Sequence, residues 1–231
     1  MPAVEIICLA NSRKLSGRCI AGLRTDGQGW IRPVGRSPDG TLYWQHYRLD
    51  DGTEAQVLDI LKVDLASPRP EPHQPENWLI GNIPWQLTAR PAPQRCLSVL
   101  RSYIVRGPDL FGNQHDRVAF SSFSQTSTQA SLALVKPDTL EWHITKSFTG
   151  KRQTRAVFTL SGSPYDLSVT DPLWEQRLRN LSWGTHPMIS VGLSADDKVL
   201  LTVSLGEPFQ GDCYKLVAAV IVVPRSWRNK L

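Results

Sequence analysis

None of the four cysteines in this 231-residue chain (Cys8, Cys19, Cys96 and Cys213) stands in a C-x-x-C pair, so neither a zinc ribbon nor a dithiol redox centre is predicted. All four sit among apolar neighbours and read as buried free thiols. The five histidines, His46, His73, His115, His143 and His186, show no H-x-x-x-H or H-x-E spacing, so the ligand sets of zinc hydrolases and deaminases are missing. A Walker A loop, a G-x-G-x-x-G turn and a G-x-S-x-G elbow are absent as well. No metal, cofactor or catalytic residue is therefore expected, and the chain reads as a non-enzyme. The longest apolar run, Leu216 to Val223, is too short to cross a bilayer, and no membrane partner is expected. Met1 leads directly into a strand-like segment without an n-region or h-region, so the expected location is cytoplasmic. No period of about twenty to fifty residues recurs, which removes solenoids and propellers.

What remains is an ordinary folded composition. Hydrophobic residues make up 41% of the chain, enough for one large β domain or two small ones. The formal net charge of +5 leans toward polyanionic partners without identifying one. Runs lacking acids span Ile6 to Thr25, Ile144 to Leu160 and the C-terminus from Pro224.

Period-2 and β-branched patterns predict strands at Val4 to Leu9, Arg18 to Leu23, Trp30 to Val34 and Ala55 to Leu65. Four prolines between Ser67 and Pro75 predict an extended connector. Leu97, Leu100 and Ile104 at helical spacing predict a short helix between Pro93 and Val105. The Ser-rich stretch Phe111 to Thr128 is placed at the division into units 1–115 and 116–231. Strands are predicted again at Ala130 to Lys136, Leu140 to Phe148, Arg155 to Ser161, Tyr165 to Val169, Val199 to Leu205 and Tyr214 to Val223. Asp171-Pro172 predicts one good helix start, with Asp as cap and Pro at the first position. The fold class is mainly β with a few short helices.

Three blocks carry candidate function. In the first, Arg13, Lys14 and Arg18 lie in or beside an inter-strand loop, and Trp30 and Arg32 alternate along a strand onto one side. An exposed Trp beside Arg would stack a base, whereas a buried one would belong to the core. In the second, Ser204, Glu207 and Lys215 are brought close by a predicted hairpin. The Glu and Lys either read a base edge and a phosphate or pair with one another. The third is Tyr165 to Pro172, whose helix start could hold an anion were it not occupied by Asp171, and a hairpin around Gly150 adds Lys151, Arg152 and Arg155 at its tip. Asp171 is read as a structural cap, and Trp78, Trp85, Trp142, Trp174 and Trp183 as core.

The pattern from Ile7 to Ser12, Gly17 to Gly22 and Trp30 to Val34, with Gln74 to Trp78 and Ser204 to Phe209, resembles the dual OB-domain family of prokaryotes. The resemblance implies two OB-like β-barrels packed together, in proteins associated with nucleic-acid handling and with defence systems. It maps onto Asn11, Ser12, Lys14, Arg18, Trp30, Arg32, Asn77, Trp78, Asp171, Ser204, Glu207, Tyr214 and Lys215. The leading expectation is a nucleic-acid-binding module for single-stranded or structured DNA or RNA. Arg13, Lys14, Arg18, Arg32, Lys151, Arg152, Arg155 and Lys215 supply charge there, and Trp30 supplies stacking. Two alternatives stand beside it. One is a sensor of a nucleotide or modified base in a pocket between the barrels at Trp30, Ser204 and Glu207; the other is a scaffold for a protein partner with nuclease or helicase activity.

Overall fold

The computed structural model describes residues 3–124, 130–194, 196–227 and 230. The chain opens with β1 (Val4–Lys14), β2 (Gly17–Arg24), β3 (Trp30–Val34), a single helical turn α1 (Trp44–Tyr47), β4 (Ile60–Val63), β5 (Leu65–Pro68), β6 (Asn77–Ile80) and β7 (Gln86–Ala89). It continues through α2 (Leu97–Tyr103), β8 (Ile104–Val105), β9 (Arg117–Ala119), β10 (Leu132–Val135), β11 (Thr139–Lys146), β12 (Arg152–Leu160) and β13 (Ser163–Val169). The last elements are α3 (Pro172–Arg177), β14 (Gly184–Pro187), β15 (Val199–Phe209) and β16 (Asp212–Val222).

The same circuit of strands is drawn twice. In the first sheet β1, β2 and β3 form an antiparallel meander, and β3 runs parallel to β6. Next, β6 pairs with β5, and β4, which precedes β5 across a break at Asp64, returns to β1. In the second sheet β11, β12 and β13 form the meander, β13 runs parallel to β16, β16 pairs with β15, and β15 pairs with β10. Here β10 leads back into β11, so the circuit closes on its own first strand. A helix lies between the third and fourth strands in both, α1 in the first and α3 in the second. These are two OB-like barrels of the Greek-key kind. The strands change sheet between Ala89 and Ile104, so the segment up to residue 115 contributes to both.

Three apolar layers hold the molecule. Ile6, Cys8, Ile20, Ile31, Leu61 and Trp85 fill the first barrel. Trp142, Ile144, Phe158, Leu167, Leu201 and Val217 fill the second. Between them Ile7, Leu9, Ala21, Leu23 and Ile60 meet Leu132, Leu134, Leu200, Ala219 and Ile221. Because successive strand residues point to opposite faces, β1 buries Ile6 and Cys8 inward and Ile7 and Leu9 against the other barrel. A strand covered on both sides reads as an unbroken apolar run rather than as alternation. The runs Ile6 to Ala10 and Leu216 to Val223 have that origin.

Close approach of β1 and β2 requires a glycine at 22, where a Cβ would lie 2.2 Å from the Ile7 carbonyl oxygen. That obstacle is backbone and cannot rotate away. Gly22→Ala is expected to destabilise the chain by about 1–3 kcal/mol, as overpacking does, read as a lowered midpoint in thermal unfolding.

Several local expectations are met. Asp171 caps α3, its Oδ1 accepting from the Leu173 and Trp174 amides, and its Oδ2 accepts from the Val220 amide at 3.0 Å, tying the helix to β16. Leu97 and Leu100 are the buried face of α2, while Ile104, the third position of the expected stripe, already lies in β8. Others need correction. The stretch Ala55 to Leu65 is not one strand: Leu58 adopts a left-handed conformation (φ 72°), and pairing begins only at Ile60. The proline-rich segment is the connecting strap expected, joining β5 to β6, but it is not extended throughout, since a tight Glu71–Gln74 turn buries His73 and Gln74. Trp183 is exposed, with the Arg152 guanidinium stacked on it 5.1 Å from the ring centre. Of the Ser-rich stretch Phe111 to Thr128, residues 125–128 lie outside the described residues, as do 228, 229 and 231 of the basic C-terminus. Among the described residues no helix is long and apolar enough to cross a membrane.

Candidate functional site

An OB barrel presents its second and third strands to a ligand, flanked by the loop between strands one and two and the loop between strands four and five. In the first barrel that face is covered. Ala21 and Leu23 of β2 lie in the layer between the barrels, and Trp30 of β3 is half-buried against it. Arg32 is 1% exposed. Its Nη2 donates to Ser131 Oγ at 2.8 Å and Ser204 Oγ at 3.1 Å, and lies 3.1 Å from Glu76 Oε1. Glu76 in turn accepts from the Ser131 amide at 3.2 Å and from its hydroxyl. Beside Arg32 on β6, Asn77 donates to Gln74, which donates to the Leu205 carbonyl. Trp30 and Arg32 thus point to one side, as the alternation predicts, but that side is the second barrel rather than solvent. Arg32 and Ser204 are a buried polar weld, because a guanidinium taken out of water needs both a counter-charge and acceptors.

The loops flanking the covered face are engaged too. In β15 a bulge sets Gly206 and Glu207 opposite Tyr214 alone, since Leu205 pairs with Lys215 and Pro208 with Cys213. A bulge re-aims a side chain, and here Glu207 reaches the first barrel. Its Oε1 accepts from Lys14 Nζ at 2.7 Å, and its Oε2 lies 3.2 Å from His73 Nε2. Partial burial raises the Glu207 carboxyl, but its bonds to His73 and Lys14 prevail and bring it down to about 2. A carboxyl depressed below its ordinary 4.5 adds stability above that value and loses it as pH falls toward 2. Glu207→Gln is accordingly expected to flatten the acid limb of the stability profile between about pH 4.5 and 2, followed by urea midpoints across that range.

The N-terminal basic block is paired throughout. Arg13 meets Glu175 at 2.8 Å, and Arg18 meets Glu54 at 2.7 Å, with Asn11 donating to the same Glu54. Ser12 donates to the Cys19 carbonyl. Ser12, Lys14, Ser204 and Glu207 line one cleft of only about 100 Å³. Ligand pockets run to ~300–1,000 Å³, so a nucleotide does not fit there.

The matching face of the second barrel is open. A groove of about 650 Å³ runs over Gln153 and Arg155 of β12 and Asp166 and Ser168 of β13, between the β11–β12 tip (Ser147, Phe148, Thr149) and the β15–β16 hairpin end (Gly206, Glu207, Phe209, Gln210). On its floor Arg155 binds the Asp166 carboxylate at 2.6 Å and the Asp166 carbonyl at 2.5 Å. Ser168 Oγ accepts from both Arg155 and Gln153. The walls are aromatic. Phe148 is fully exposed (105%), Phe209 is 62% exposed, and Tyr214 stands 6.4 Å from Phe209 with the Arg117 guanidinium 4.8 Å above its ring.

Of the sequence candidates, this groove gathers Arg155, Glu207 and Tyr214, and Lys151 stands exposed at its tip. Arg152 turns the other way, donating to the Leu181 carbonyl at 2.5 Å. Lys215 borders the groove, but its ammonium is buried (2% exposed), held by Asn113 O and Oδ1 at 2.9 and 2.8 Å and brought down to about 8 by burial. The ion pairs of Glu207 go to Lys14 and His73 instead. Asp171 is spent as a helix cap, and Trp78 packs half-buried against the first barrel's core. Phe148, Phe209, Gln153 and Ser168 escaped sequence reading. The available signal was a large aromatic within two residues of a turn Gly in each of two hairpins, where no core pattern has use for it.

A family model described as a dual OB-containing domain matches residues 4–220. No curated protein matches. Among solved structures, the p204 HINb domain is similar at 10% identity over 95% of this chain and 96% of that one, with a TM-score of 0.34. The tetrameric p202 HIN2 is similar at 7% identity over 96% and 92%, with a TM-score of 0.30.

Proposed function

The chain belongs to the dual OB-containing domain family, and from that premise we propose that it is a binding module for single-stranded nucleic acid, working through the open face of its second barrel. The observation that carries this reading is the groove between the two hairpin tips, walled by Phe148, Phe209 and Tyr214 while the equivalent face of the first barrel is covered. Exposed rings beside a polar floor suit bases, which stack on any aromatic face. Gln153, Ser168 and Arg155 offer groups for base edges or sugar. The first barrel then serves as a rigid support.

Since Asp166 neutralises Arg155 and acids share the rim, stacking rather than charge carries the affinity. Anisotropy titrations of labelled oligothymidine and oligouridine of about 12 nucleotides are expected to show binding with a shallow salt slope, about −1.4 to −2.1, equivalent to two or three phosphates. Duplex of the same length is expected to bind more weakly, because its bases are already stacked. Absence of binding to any single strand at low salt would reject the reading. A protein partner of the nuclease or helicase type would then be the reading to test.

A further inference from the structure

We infer that Lys14 and His73 form a site for a phosphate-type oxyanion, which the chain's own Glu207 fills in the free protein. Lys14 ends β1 at its turn into β2 and His73 sits on the strap, so both flank the covered face of the first barrel, and they converge on one carboxylate supplied by the other barrel. His73 is 4% exposed and its Nδ1 is buried without a partner, so the fold keeps a polar ring here whose hydrogen bonding it leaves incomplete. The carboxylate is the accessible member of the trio: the Glu207 side chain is 42% exposed, against 16% for Lys14 and 5% for His73.

Glu207 also borders three concavities at once, the cleft beside Lys14, the hollow beneath the strap, and the open groove of the second barrel. A side-chain rotation on the bulge therefore vacates the site without moving β15. A strand leaving the groove past Gly206 meets Lys14 next, so its phosphate can take the place of the carboxylate. This extension to a strand rests on the function proposed above; the oxyanion site itself does not.

The test uses Glu207→Gln, which keeps the shape and removes the charge, with inorganic pyrophosphate as probe. At about ten times its Kd, pyrophosphate is expected to raise the Tm of this variant by about 3 °C. The native chain, whose site is filled, is expected to respond less, and Lys14→Met added to Glu207→Gln is expected to abolish the rise. A rise no larger than the native one, or one that survives Lys14→Met, overturns the proposal. Should Glu207→Gln not fold, the His73 ring signals of the native chain are followed by NMR during a pyrophosphate titration, and signals that stay unmoved overturn it as well.

Oligonucleotide titrations then separate the two sources of phosphate. A salt slope steeper by about 0.7 in Glu207→Gln than in the native chain assigns the phosphate to a bound strand. An unchanged slope with pyrophosphate binding intact assigns it to a free phosphate ligand. If neither protein binds any oligonucleotide, the proposed function fails, and the pyrophosphate result alone decides the site.

Discussion

Glu76→Ala is expected to be among the most damaging single substitutions away from the barrel cores, costing about 3–5 kcal/mol and lowering Tm by roughly 6–20 °C. The reason is what it leaves behind. Arg32 is among the largest fully buried side chains, and its Nε and Nη1 already lack partners. Without Glu76, only the hydroxyls of Ser131 and Ser204 would face a guanidinium that cannot lose its proton. Removing both charges together differs in kind, because a buried ion pair replaced by apolar groups of similar size is often neutral or stabilising. Arg32→Met combined with Glu76→Leu is therefore expected to recover most of the loss, with the double-mutant cycle measured by thermal or urea unfolding. A Glu76→Ala Tm within about 2 °C of native would show that the pair is solvated and that the weld between the barrels lies elsewhere.

The second large effect falls on binding rather than on stability. Base stacking on an aromatic side chain is worth about 1–3 kcal/mol, so Phe148→Ala and Phe209→Ala are each expected to weaken single-strand binding by roughly 5- to 150-fold. The two rings stand on opposite lips of the groove, on hairpin tips that the cores do not need. Their removal is expected to leave Tm nearly unchanged, as for exposed positions generally. Native affinity in the Phe148→Ala/Phe209→Ala double variant would move the binding face away from this groove, whatever the chain then binds. Tyr214 is a poorer probe, because its hydroxyl and ring also hold Arg117.

Much of the architecture was legible in the chain itself. The long strands β1, β2, β3, β11, β12, β13, β15 and β16, the cap at Asp171 and the buried face of α2 all follow from local patterns, because period and capping act within a few residues. Short strands such as β6 and β14 escaped notice, since Asn77–Ile80 and Gly184–Pro187 carry too few residues for a period to show. The candidate site was less legible. Arg32 and Lys215 were candidates for phosphate contact, and both are buried with partners distant in sequence, Ser204 lying 172 residues from Arg32 and Asn113 lying 102 residues from Lys215. Glu207 read either as a group for a base edge or as a partner for Lys215, and it instead spans to Lys14, 193 residues away.

By itself, then, the sequence determined the β character, the positions of the turns, the basic lean and the absence of recognisable metal or nucleotide motifs. Composition and local period are properties of neighbouring residues. Only the tertiary structure decided which of two similar barrels keeps the outer face of its second and third strands open. Both barrels have the strands and loops for such a face, and a continuous apolar run such as Ile6 to Ala10 states that both sides of a strand are covered without naming what covers them. Packing of β1 and β2 against β10, β15 and β16 closed one face, turned its arginine and tryptophan inward, and left Phe148 and Phe209 on the other.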